Sequence, residues 1–207
     1  MGLKHQAVVA RKWRTAMRQI ESHFPPALPP LLLLTDPERI PNPVSLVDKL
    51  PAGSGLIYRH FGAEDRFEIA ARLSQKCKEH KIAFLISADP DLARATNAAG
   101  IHWPEKWISR ARRWQRCFRI QTASAHTPHA IRTARNAGMD AALVSTVFVS
   151  ASSSAGRPIG SIRLRKLQQT AGIPLYGLGG INAQNAQQVS AYSGIASVSG
   201  LAIAKIG

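Results

Sequence analysis

Acidic residues are in short supply. Twelve Asp and Glu stand against 27 Lys and Arg, a formal net charge of +15 over 207 residues. That excess attracts polyanions as a class, whether nucleic acid, acidic membrane or phosphorylated small molecules, and does not choose among them. Cysteine is scarcer still, at Cys77 and Cys117 alone. Two thiols in segments of opposite character argue against a disulfide framework and for a reduced, cytoplasmic protein with small buried thiols. No apolar run reaches the roughly 20 residues of a membrane span; "LPPLLLLTD" has the length of a buried strand. The first 20 residues hold no acid, but they also lack the continuous apolar core of a secretory signal. Low-complexity tracts, short repeats and interdomain linkers are missing. So is any nucleic-acid-binding motif, and Trp13, Trp103, Trp107 and Trp114 form no stacking series, so neither nucleic acid nor membrane is the expected partner.

What is present is alternation. Val9, Trp13, Met17 and Ile20 recur at helical spacing, which predicts an N-terminal helix laid across the domain. "FPPALPP" follows as a stiff connector. From there, strand-like runs fall at 31–35, 55–59, 82–87, 100–103, 117–124, 141–146, 173–178 and 195–199. Helix-length segments separate most of them. The clearest is Ala63 to His80, with Phe67, Ala70, Leu73 and Cys77 on one face; Thr127 to Ala137 and Ile162 to Thr170 behave similarly. Gly100, Gly138, Gly172 and Gly194 each precede a strand, as helix C-caps would. Eight such units predict a parallel sheet closed into a (β/α)8 TIM barrel, an α/β fold. Residues 1–29 read as the extra N-terminal helix and proline-rich connector, and 30–207 as the barrel.

"IPLYGLGGINAQNAQQV" places Gly179 and Gly180 at the exit of the seventh strand. Glycine amides there can approach an anion closely, because no Cβ intervenes. After the eighth strand, "SVSGLA" offers Val198, Ser199 and Gly200 at the expected start of the next helix. Two adjacent helix starts would form a phosphate pocket, since free N–H groups and the helix dipole both favour negative charge. Barrels commonly place a phosphate after these two strands.

Around this pair, "SAHTPHAIRTARNAGMDAALVSTVF" and "PLYGLGGINAQNAQQVSAYSGIASVSGLAI" resemble the second half of the thiamine-phosphate synthases and their relatives, the TenI-like thiazole tautomerases. "LLLLTD", "EIAARLSQKCKEHKIAFLIS" and "AAGIHW" resemble earlier pieces of the same family, so the likeness covers nearly all of 30–205. The resemblance implies a barrel of thiamine biosynthesis whose partners are phosphorylated thiazole and pyrimidine metabolites, with homo-oligomeric assembly possible. It implies that Gly179, Gly180, Val198 and Ser199 hold the thiazole phosphate, that Ser124 contacts pyrophosphate and that Arg59 clamps the diphosphate. His126 stands at the histidine that moves a proton in the tautomerases; a local capping or packing role is its alternative. His102, on the fourth strand, reads as a satisfied interior histidine.

Departures from the family pattern cluster at the diphosphate end. The family's Gln-Leu-Arg-Glu-Lys reads "IYRHF" here: Ile57, His60 and Phe61 replace the glutamine, glutamate and lysine, and only Arg59 survives. Ser87 and Ala88 replace Asn-Asp after the third strand, and Trp107 takes an aspartate position after the fourth. In the sixth-strand loop Ser150 and Ser152 keep hydroxyls, Ser153 takes the lysine position, and Arg157 is placed to reach back as a replacement charge. Both aspartates that would hold Mg²⁺ are missing, so Mg²⁺ is expected only if the synthase activity survives. Asp89, Asp91 and Glu105 lie near the missing positions but read better as helix caps and first-turn acids. The expected function is therefore a barrel that binds a thiazole-type phosphate and has diverged from Mg²⁺-dependent coupling, with tautomerase-like chemistry open to it. An active synthase is the first alternative, and a polyanion binder the second.

Overall fold

The computed structural model describes residues 3–152 and 155–198, with side chains from residue 7 onward. Eight strands, β1 (Leu31–Leu34), β2 (Gly55–Tyr58), β3 (Ala83–Ser87), β4 (Gly100–Trp103), β5 (Ile120–Ser124), β6 (Ala141–Ser145), β7 (Leu175–Leu178) and β8 (Gly194–Ser197), form a closed barrel in sequence order. All eight pairings are parallel, and Leu31 opposite Ile195 closes β1 on β8. The strands are covered on both faces, which is why they read as continuous apolar runs instead of alternating ones. The expected (β/α)8 TIM barrel is the fold.

The helices are α1 (Leu3–Glu21), α2 (Arg66–Glu79), α3 (Pro90–Ala95), α4 (Ile108–Ala111), α5 (Pro128–Asn136), α6 (Gly160–Ala171) and α7 (Gln187–Ser190). A 3₁₀ helix, Pro43–Lys49, replaces a full helix between β1 and β2; Asn42 Oδ1 caps it by accepting from Ser45 N–H. Val9, Trp13, Met17 and Ile20 of α1 are all buried, as their spacing predicts. α1 packs on α7, where Ser190 Oγ donates to Gln19 Oε1 at 2.6 Å. The connector is pinned beneath β7: Tyr176 OH donates to Pro29 O at 2.6 Å, and Phe24 meets the Tyr176 ring edge-on.

Several local expectations change. Phe67 is 60% exposed, because it lies in the first turn of α2 on the flank of the buried Ala70, Leu73 and Cys77 stripe. Residues 117–119 precede β5 instead of belonging to it: Arg116 has φ 64°, and Cys117 N–H turns back to Trp114 O. Cys117 is consequently exposed, unlike the buried Cys77. Gly172 is the left-handed cap of α6, and Gly138 follows the end of α5 at φ 76°. Gly100 and Gly194, by contrast, are strand residues. A Cβ on the first would run into the Ile120 carbonyl, and one on the second would meet the Tyr176 ring. No helix among the described residues is long and apolar enough to cross a membrane.

Candidate functional site

A cavity of about 370 Å³ opens at the C-terminal ends of the strands. Of the residues singled out in the sequence, Arg59, Ser150, Ser152, Gly179, Gly180 and Val198 line it. Ser124, His126 and Arg157 do not. Ser199, Gly200 and Ser153 lie outside the described residues.

Arg59 leaves β2 directly into this space. Its main-chain N–H donates to Thr35 Oγ1 at 2.9 Å and its Nε–H to Thr35 O at 2.8 Å, while Asp36 stands 3.8 Å from the guanidinium. Burial lowers the guanidinium pKa from its ordinary value, and Asp36 partly offsets this; an arginine remains charged under such a shift. A half-buried cation is thus fixed against one wall. Arg39, which motif comparison passed over, bridges the rim by donating to Ala151 O at 3.1 Å. Its signal was a cation shortly after the first strand, in "TDPER".

Gly179 and Gly180 form the opposite wall, for a reason the sequence did not disclose. Their φ angles are 96° and 65°. A Cβ on Gly179 would sit 2.8 Å from Thr146 Cγ2, and one on Gly180 would run into the Val149 carbonyl oxygen and the Phe148 carbonyl. The glycines therefore let the β6 and β7 exit loops touch, sealed by Phe148 N–H donating to Gly179 O at 3.0 Å. The expected helix start at this point is absent. The chain instead turns through Asn182 and Asn185, with Asn185 Nδ2 donating to Gly180 O, and α7 begins only at Gln187. No helix dipole points into the cavity from Gly180. The amides of Gly180 and Ile181 nevertheless take no acceptor among the described residues, and both residues line the cavity. Two N–H groups without an acceptor among the described residues, in a cavity that a fixed guanidinium also lines, suit an anion.

Ser124 is occupied elsewhere. Its hydroxyl pairs with His102 Nε2 at 3.0 Å, while His102 Nδ1 pairs with Thr122 Oγ1 at 2.9 Å. Burial pushes the His102 pKa down to about 3, with the charge of Arg59 acting in the same direction. This histidine is neutral and satisfied, as expected. His126 is exposed, so the packing alternative fails, and the cap of α5 is Thr127 rather than His126. The His126 ring meets Ser145 Oγ at 3.1 Å, and Ser145 does line the cavity. Arg157 is exposed and away from the lining, so it does not reach back into the cavity.

Arg59 apart, the positions at the exits of β2 to β4 where the family carries charge are filled or engaged otherwise. Ile57 is wholly buried; His60 is buried and stacked on Tyr58, its pKa lowered chiefly by burial; Phe61 is 57% exposed. Asp89 caps α3 by accepting from Leu92 N–H and is ion-paired with Arg66. Glu105 accepts the His126 main-chain N–H at 2.7 Å. Asp91 is an exposed first-turn acid of α3 outside the cavity lining, so with Ser87, Ala88 and Trp107 beside them these residues do not form, among the described residues, the carboxylate set that Mg²⁺ takes.

Comparison with known proteins decides the family. The family model described as thiamine monophosphate synthase matches residues 33–201. The chain belongs to this family. It is 30% identical over 185 residues to a thiamine-phosphate synthase of Chlorobium phaeobacteroides, covering 85% of this chain and 89% of that one. It is also 30% identical over 168 residues to the Synechococcus sp. (strain WH7803) thiamine-phosphate synthase, covering 77% of this chain but 48% of the relative, so the chain spans about half of that protein. A solved thiamine phosphate pyrophosphorylase from Pyrococcus furiosus shares the fold, with a TM-score of 0.72 and 24% identity over 85% of this chain and 92% of that one.

Proposed function

We propose that this thiamine monophosphate synthase family member binds a thiazole-type phosphate in the mouth cavity and has diverged from Mg²⁺-dependent release of pyrophosphate. The observation that carries the reading is that the amides of Gly180 and Ile181 take no acceptor among the described residues while both residues line the same cavity as Arg59. In this role the amides seat the phosphate, Arg59 supplies the counter-charge, and the hydroxyls of Ser150 and Ser152 border the seat. Val198 and Ser199 are assigned to the same phosphate by likeness to the family. The diphosphate end supports the divergence: Asp89 and Glu105 are engaged in capping and pairing, and aromatic residues stand where the family has charges. Leaving-group charge is stabilised electrostatically, so this depletion bears directly on coupling.

Proton transfer on the bound thiazole is the chemistry that such a site supports without a metal. The His126 imidazole contacts Ser145, a lining residue, and its ring nitrogen is the atom that would take the proton in such a step. The test combines calorimetric titration of thiazole phosphate with a turnover assay containing hydroxymethylpyrimidine diphosphate and Mg²⁺. Binding without product supports the proposal, and Arg59→Gln then weakens binding by about 10- to 100-fold, the worth of a charge-assisted hydrogen bond. Metal-dependent product at roughly 0.1 to 10 per second would overturn the divergence.

A further inference from the structure

The opposite, N-terminal end of the barrel carries a second and larger concavity, of about 940 Å³. Its lining comes from residues that lead into five strands: Pro30, Ser54, Ile82, Ala99 and Arg119 precede β1, β2, β3, β4 and β5. The proline-rich connector forms one wall and is held rigid through Tyr176. Three phenylalanines belong to the lining, Phe24 and Phe84 largely buried and Phe118 half-buried. Around them stand three exposed cations, Lys78 and Lys81 three residues apart at the end of α2 and Arg119 before β5, with Glu21 as the sole carboxylate among the described lining residues. None of the three cations is ion-paired among the described residues.

We propose that this concavity is a second binding site, separate from the mouth cavity, for an amphipathic aromatic anion. A flat apolar body rests against Phe24, Phe84 and Phe118, and a phosphate, sulfonate or carboxylate group meets Lys78, Lys81 and Arg119. The volume lies within the roughly 300 to 1,000 Å³ of small-molecule pockets, which combine apolar walls with a few convergent polar groups. A flat cationic patch would suit a polyanion backbone. Here the cations surround a depression lined with phenylalanine, and that shape favours a ligand with a ring and a charge. Part of the +15 excess thereby acquires a use that the mouth cavity does not supply.

Cys117 provides the reporter. It is exposed and belongs to the same lining, whereas Cys77 is buried, with burial pushing its thiol up to about 12. An alkylating reagent therefore labels Cys117 selectively in the folded, full-length chain. The probe is 8-anilinonaphthalene-1-sulfonate, followed by its fluorescence and by its effect on the alkylation rate. Saturable binding is expected, with Cys117 alkylation slowed about tenfold at ten times the dissociation constant. Lys78→Glu and Arg119→Glu should each weaken binding by about tenfold. Arg132→Glu, exposed on α5, should leave it unchanged. Inorganic phosphate, which lacks the ring, should neither displace the probe nor protect Cys117. Unaltered alkylation at probe saturation, or equal affinity in all three variants, overturns the proposal. So does protection of Cys117 by RNA with none by the probe, which would assign this face to a macromolecular polyanion.

Discussion

Gly180→Ala separates two reasons for a glycine at one position. The φ of 65° costs an alanine about 1 to 2 kcal/mol. A Cβ there also runs into the Val149 carbonyl oxygen and the Phe148 carbonyl, which are main-chain atoms and cannot rotate aside. Such overpacking adds about 1 to 3 kcal/mol, so the total loss is about 2 to 5 kcal/mol. Gly53→Ala is the matched control, because Gly53 has φ 84° but nothing within 4 Å of an added Cβ. Only the conformational cost applies to it. In a chain of this size each kcal/mol moves the midpoint by about 2 to 4 °C. The thermal unfolding midpoint followed by circular dichroism should therefore fall by roughly 4 to 20 °C for Gly180→Ala and by roughly 2 to 8 °C for Gly53→Ala. Equal shifts would refute the claim that close approach of the β6 and β7 exit loops is what demands glycine.

Two further outcomes follow from burial. Trp13→Ala should cost about 3 to 5 kcal/mol in urea unfolding, since the indole is fully buried between α1 and the barrel; a loss below about 1 kcal/mol would show that α1 is not part of the cooperative core. His102 has a folded pKa of about 3, well below the 6.5 of an unfolded histidine, so the unfolded chain binds the extra proton between those values. Stability should then be intact above about pH 6.5 and fall by about 1.4 kcal/mol per unit as the pH drops towards 3. His60, whose pKa is also lowered chiefly by burial, acts in the same sense. His102→Asn should flatten the curve, and an unchanged slope would remove His102 as its source.

The strands, the α1 stripe of Val9, Trp13, Met17 and Ile20, and the glycines at the exit of β7 were legible in the chain, because periodicity and turn chemistry act over a few residues. The mouth was legible in part. Arg59, Gly179 and Gly180 stood in motifs, and they do line one cavity. What stayed hidden was every partnership between different strand exits. Asp89 meets Arg66 across 23 residues, Glu105 meets His126 across 21, and Arg39 reaches Ala151 across 112. Asp89 was legible as a helix cap, but nothing local in the sequence reveals its pairing with Arg66 or distinguishes a serine facing a ligand from one bonded to His102. The sequence by itself determined the eight-unit alternation and the apolar faces that close a barrel. Only the tertiary structure decided which amides, hydroxyls and charges remain unspent at its mouth, because each is consumed or spared by a neighbour that barrel closure brings from far along the chain.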